Sequence, residues 1–143
     1  MSTSMSVEER ENFLAGTHIG VLSAADGDAP LLVPIWYGYR PGGDIRISTS
    51  SGTRKFELIR TAVSVGFAVQ RETMPYRYVS VDGPVVGYEP TDPGEYRAWS
   101  IRYLGPDQGE RFFAVVRDGL DDWVTFRIRP ERWRTFDFGK EFA

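Results

Sequence analysis

One stretch decides how this chain is read: Ile45, Arg46, Ile47, Ser48, Thr49, Ser50, Ser51, Gly52, Thr53, Arg54, Lys55, Phe56, Glu57, Leu58, and a few residues on Val63, Ser64, Val65, Gly66, Phe67, Ala68, Val69, Gln70. Ile45 and Ile47 alternate with polar neighbours behind the Pro41, Gly42, Gly43, Asp44 turn, which predicts a strand. The chain then runs through hydroxyls and a glycine into a short helix that Thr53 can cap. From Val63 the period is two again, with Val63, Val65, Phe67 and Val69 on one side, which predicts a half-buried strand.

Outward from this unit, helix ends are marked by their caps. Ser6 with Glu9 three residues later is a capping box, Phe13 and Leu14 give that helix an apolar side, and Gly16 can close it. Asp92, Pro93 and Glu95 start a second helix, on which Tyr96, Trp99 and Tyr103 share a face before Gly105 and Pro106 stop it. A third is expected from Asp107, with Glu110 as acidic partner and Phe112, Phe113 and Val116 on it, ending at Gly119. Further strands are expected at Ile19–Ser23, Leu31–Tyr39, around Val79 and Val81 before Gly83 and Pro84, along Val124, Phe126 and Ile128, and at Trp133–Phe138. Six or seven closely spaced, hairpin-linked strands favour an antiparallel barrel with a few short helices packed on it.

The 143 residues, 41% hydrophobic and 26% charged, suit a single domain over 1–143, with 1–7 expected to be a flexible N-terminal segment. The longest nearly unbroken apolar stretch, Ala29–Tyr37, is far short of the ~18 residues a membrane span needs, so no membrane association is expected. The polar, acidic Met1–Arg10 lacks the features of a signal peptide, and a cytoplasmic location is expected. Cysteine is absent and histidine occurs once, which excludes disulfide frameworks, zinc ribbons and thiol catalysis, and also a Ser/His/Asp triad unless His18 serves it. His18, at a strand start, reads as a solvated or hydrogen-bonded structural residue. Asp26, Asp28, Asp121 and Asp122 lie in Gly-containing turns without calcium-loop spacing, so they read as turn formers and no metal site is expected. A net charge of −3 argues against nucleic acid as a partner, including a small barrel binding single strands through its aromatic strands.

Lysine occurs only at Lys55 and Lys140. A helix N-terminus presents free N–H groups and a positive dipole end, so hydroxyls with Arg54 and Lys55 would suit a phosphate monoester. The plainer reading is a Thr53-capped helix with solvated cations. Two cations at the positive end of a helix are unfavourable without an anion, which tilts the balance toward the phosphate. Trp36, Tyr37 and Tyr39 could face a planar ring, although aromatics on a strand more often fill a core or subunit interface. Arg77 either meets an anion at a barrel rim or pairs with an acidic residue. Arg127, Arg129, Arg132 and Arg134 read as charges that keep an edge strand from pairing further.

In the order of its motifs the chain resembles the pyridoxamine 5′-phosphate oxidase-like split β-barrel flavoproteins. A strand ending in Ser/Thr is followed by Thr53, Arg54, Lys55, Glu57 and Leu58 and by the strand from Val63, and this segment looks like the family's phosphate-binding segment. Ile19–Ser23 with Pro30, Leu32, Val33, Pro34, Ile35 and Trp36 resembles its two opening strands, especially in the branch using the deazaflavin F-420. Tyr76, Arg77, Tyr78, Val79, Val81 and Gly83 resemble the strand that follows, and Pro130, Arg132 and Trp133 the last one. The resemblance covers roughly Glu8 to Phe138.

It implies a mainly β fold with short helices, a six- to seven-stranded antiparallel split β-barrel. Arg54 and Lys55, with Thr49 and Ser50, are then expected to hold the phosphate of F-420 or FMN, with the Val33–Trp36 backbone, including Pro34, Ile35 and Trp36, along the ring system and Arg77 as a further cation. A homodimer with the cofactor between subunits is implied too. The family's true oxidases carry a substrate-binding Arg/His segment beyond the last strand that this sequence lacks, and Thr61 and Ala62 stand where members often have Asn-Pro. The expected function is therefore an F-420- or FMN-dependent reductase passing hydride to or from a small unsaturated or conjugated substrate, with no catalytic side chain singled out. The alternative is a non-catalytic protein that binds or carries the same cofactor.

Overall fold

Alternating apolar residues in the sequence become eight strands in the computed structural model, which describes residues 2–142. They are β1 (Gly20–Ala24), β2 (Leu31–Ile35), β3 (Ile45–Ser50), β4 (Val65–Arg71), β5 (Arg77–Gly83), β6 (Val85–Pro90), β7 (Trp123–Ile128) and β8 (Arg132–Asp137). The helices are α1 (Val7–Leu14), α2 (Arg54–Thr61), α3 (Pro93–Leu104) and α4 (Pro106–Val116). One sheet runs β2-β1-β4-β5-β8 and the other β3-β7-β6, every pairing antiparallel. A single bridge between Gly38 and Arg46 joins the end of the β2 segment to β3, so the barrel is split into two sheets. The fold class expected from the resemblance is the one observed.

Three details differ from the sequence reading. β6 is an additional strand; Val85, Val86, Gly87, Tyr88 and Glu89 do not alternate, and its register with β7 shifts between Val85 and Gly87. The strand expected through Tyr39 ends at Ile35, and the one expected from Val63 begins at Val65, Val63 itself being 92% exposed. The helix expected from Asp107 begins at Pro106 directly behind Gly105, without a side-chain cap, because Gly105 turns the chain at φ +88°. Glu110, expected as its capping partner, instead pairs with Arg97 of α3, and α4 tightens into a 3₁₀ turn from Arg117 onward.

The other caps form as read. Ser6 Oγ accepts from the Glu9 backbone N–H at 3.1 Å while Glu9 Oε1 accepts from the Ser6 N–H at 2.8 Å. The Lys140 ammonium and the Ser6 groups hold the Glu9 carboxyl down at about 2. Asp92 accepts from the Glu95 N–H at 3.1 Å to begin α3. Residues 3–5, within the segment expected to be flexible, hydrogen-bond to the end of β8: Thr3 O accepts from Asp137 N at 2.8 Å, and Met5 N donates to Thr135 Oγ1 at 2.9 Å. Met1, in the same segment, lies outside the described residues.

Two apolar clusters result. Leu22, Ile45, Ile47, Phe67, Val79, Val81, Phe126 and Ile128 fill the space between the sheets, closed by Leu14 of α1 and Ile59 of α2. Burying each such large side chain contributes about 1.5–3 kcal/mol. Tyr37 joins them fully buried, its hydroxyl donating to Leu14 O at 2.6 Å. A smaller cluster lies under α3 and α4, with Tyr96, Trp99 and Leu120 at its centre and Trp36, Tyr103, Phe112 and Trp123 around them. α4 lies close on α3 at Gly109, where a Cβ would come 2.5–2.7 Å from Ile101 Cα, Ile101 N and Ser100 O. The second cluster builds the wall of the candidate site.

Candidate functional site

A cleft of ≈290 Å³ opens where β2, β3, the start of α2 and the α3–α4 pair converge. Pro34, Ile35 and Trp36 form one side as the chain leaves β2, and Tyr96, Trp99, Phe112 and Trp123 form the aromatic back. Trp36 is fixed by its neighbours: its ring stacks on Tyr103 at 4.9 Å between centroids and 3° between planes, and Phe112 meets it edge-on at 5.6 Å. Tyr103 in turn donates to His18 O at 2.7 Å and accepts from Tyr37 N at 3.2 Å. Burial pushes the Tyr96 phenol up, so it stays a neutral hydrogen-bonding group. The ring of Trp99 lies against Gly38, where a Cβ would meet it at 2.9–3.1 Å, so a side chain at 38 would displace that wall.

Polar groups enter from β3 and α2. Ser48 lines the cleft, and its Oγ lies 2.7 Å from Thr125 Oγ1, which lies 3.1 Å from Thr91 Oγ1, a buried row of hydroxyls across β3 and β7. Thr53 caps α2 by accepting from Phe56 N at 3.2 Å. Two residues on, Lys55 enters the cleft part-buried, and among the described residues no carboxylate lies within 4.0 Å of its ammonium. Burial lowers the pKa of its amine from the ordinary lysine value.

Four of the eight expected site residues, Pro34, Ile35, Trp36 and Lys55, thus line one cleft. Thr49, Ser50 and Arg54 lie beside it without lining it. Thr49 is 1% exposed, with Oγ1 3.4 Å from Thr53 Oγ1, and the Ser50 carbonyl accepts from Thr53 Oγ1 at 3.0 Å. Arg54, adjacent to Lys55 in sequence, projects elsewhere on the helix: its Nη2 donates to Asp26 Oδ1 at 2.7 Å, and Nη1 lies 3.6 Å from Glu57. Part of the negative charge that two cations at this helix start require is therefore supplied from within the chain. Asp26, read as a turn former, is that partner.

Arg77 occupies a different pocket of ≈390 Å³, with Phe13, His18 and Asp137. Its Nε is 3.8 Å from Asp137 Oδ1, the residue opposite it on β8, and is buried without a hydrogen-bond partner among the described residues. His18 is a hydrogen-bonded structural residue: Nε2 lies 2.9 Å from Phe13 O and its ring packs on Phe13 at 4.6 Å. Arg132 and Arg134 of the edge strand β8 both pair with Asp82 at 3.1 Å, and Arg127 pairs with Asp44 at 3.3 Å. The sequence reading missed Ser48 as a lining residue and the aromatic back wall. Strand alternation was the available signal for Ser48, whereas nothing in the spacing of α3 and α4 says which residues of β2 they cover.

A family model described as pyridoxamine 5′-phosphate oxidase matches residues 6–135. No curated protein sequence matches. Among solved structures, an F-420 reductase is similar at 24% identity and TM-score 0.69, over 87% of this chain and 94% of that one. A conserved hypothetical protein of Mycobacterium tuberculosis is similar at 24% identity and TM-score 0.76, over 100% and 92%. A FAD-binding protein of Mesorhizobium loti is similar at 22% identity and TM-score 0.61, over 92% and 93%. These structures share the fold.

Proposed function

The chain belongs to the pyridoxamine 5′-phosphate oxidase family, and from that premise we propose that it is an oxidoreductase that holds F-420 or FMN in the Lys55 cleft and moves hydride to or from a small unsaturated or conjugated molecule. The observation that carries this reading is Lys55: a part-buried cation, without a carboxylate partner among the described residues, facing planar walls. That donor set fits a phosphorylated ring system. Lys55 and Ser48 would hold the anionic end and Pro34, Ile35 and Trp36 would lie along the ring, with Thr53 fixing the start of α2 that carries Lys55. A bound flavin or deazaflavin supplies the redox chemistry, and the chain supplies position and electrostatics. The aromatic wall excludes water, which strengthens the attraction between Lys55 and an anion. F-420 is placed ahead of FMN because the Pro34–Trp36 segment resembles the deazaflavin branch.

A volume of ≈290 Å³ is at the lower limit of the usual ~300–1,000 Å³ of ligand sites, so one chain covers only part of such a ring. Pro34 also borders an apolar groove of ≈490 Å³ with three exposed hydrophobic residues, Ile19 just before β1 and Val21 and Tyr78 of the five-stranded sheet. A second copy seated on that face would complete the cleft, and a homodimer is part of the proposal. The test is titration of purified protein with each cofactor at two ionic strengths, followed by turnover with conjugated acceptors. Saturable binding, steeper in salt for the tailed, more anionic F-420, supports the reading; binding of neither cofactor removes it.

A further inference from the structure

The two lysines of the chain sit in opposite surroundings. Lys140 Nζ is 2.8 Å from Glu9 Oε1 and donates to Ser4 O at 2.9 Å, so a carboxylate and a carbonyl already face it. Lys55 has no such carboxylate among the described residues and stands among Trp36, Tyr96, Trp99 and Phe112 in a cleft open to small molecules. A neutral amine is a nucleophile toward carbonyl carbon, and a desolvated lysine without an acidic partner reaches that form more readily than a paired one.

We propose that Lys55 is a carbonyl-reactive amine and that the cleft, when no cofactor fills it, captures a planar aromatic aldehyde as an imine on Lys55 Nζ. The amine lone pair forms a C–N bond to the carbonyl carbon as the C=O π bond breaks, and a proton passes from the nitrogen to the oxygen to give a carbinolamine. Loss of that oxygen as water, with the second proton coming from nitrogen, leaves the C=N bond. Overall, amine and aldehyde give imine and water, without an oxidant or reductant. The aromatic walls hold the ring beside the amine, and burial, by lowering the pKa of Lys55, enlarges the reactive fraction at neutral pH. Capture requires only the cleft; exclusion of the aldehyde by bound cofactor rests on the function proposed above.

The experiment exposes cofactor-free protein to pyridoxal 5′-phosphate and, separately, to a phosphate-free aromatic aldehyde, reduces each mixture with borohydride and maps the adducts by mass spectrometry. Lys55 is expected to carry the adduct in roughly tenfold excess over Lys140 with both aldehydes. Lys55→Arg, which keeps the charge but forms no imine, is expected to lose the imine absorbance while its circular dichroism is unchanged. Equal labelling of the two lysines, or labelling confined to Lys140 and the amino terminus, overturns the proposal. Pre-incubation with F-420 or FMN separates the two claims. Labelling of Lys55 that neither cofactor suppresses leaves the amine assignment standing and contradicts the cofactor site, whereas cofactor binding to a protein whose Lys55 resists both aldehydes refutes the amine assignment alone.

Discussion

The Lys55 cleft and the Arg77 pocket each set a cation beside aromatic residues, and they differ in what else faces it. Arg77 looks across the ladder at Asp137, and the ring of His18 borders the same pocket. Lys55 looks at indole, phenol and phenyl rings, with no carboxylate in range among the described residues. The same contrast recurs one residue away, where Arg54 is met by Asp26 from the β1–β2 connection. Whether a basic side chain is available to a ligand is decided by groups that other elements bring to it, since a nearby carboxylate meets its charge before any ligand does.

The largest expected effect tests that contrast directly. Lys55→Ala should weaken cofactor binding tenfold or more, because a charge-assisted hydrogen bond is worth about 1.5–3 kcal/mol, while Arg77→Ala leaves affinity within about twofold. Fluorescence titration of both variants reads it. An equal loss at Arg77 would mean that a second copy brings its Arg77 pocket against the cleft, and unchanged affinity for Lys55→Ala in a folded protein would end the assignment.

Next in size is Gly109→Ala, which places a Cβ against the backbone of Ile101 and forces α4 away from α3. A loss of about 1–3 kcal/mol is expected on denaturant unfolding. Because Phe112 belongs to the cleft wall and not to the Arg77 pocket, ligand affinity should drop while the His18 environment, followed by NMR, stays as it is.

The smallest effect concerns pH, and the two regions respond in opposite directions. Burial holds the His18 imidazole below its ordinary value, so the unfolded chain binds that proton more readily than the folded one. This contribution to stability is therefore complete above the ordinary histidine value and lost as pH falls through it toward the folded value. His18→Asn should flatten that part of the profile of Tm against pH. Anion binding at Lys55 needs the protonated amine, so it should weaken as pH rises through the lowered Lys55 value. A Kd that is flat across the alkaline range would detach Lys55 from the anion.

The amino-acid sequence alone determined the periodicity and the ends of the elements. Val65, Phe67 and Val69 are buried as their alternation requires, and Ser6, Thr53 and Asp92 cap the helices they precede. These outcomes depend on residues within one or two turns or strand positions of each other, and such local chemistry is legible along the chain. The tertiary structure alone decided which cation reaches the cleft and which aromatics cover it. Asp26 lies 28 residues from Arg54, and Tyr103 meets the Tyr37 backbone from 66 residues away. Pairings across such separations are set by how the sheets and the α3–α4 pair come together, and no residue spacing along the chain encodes them.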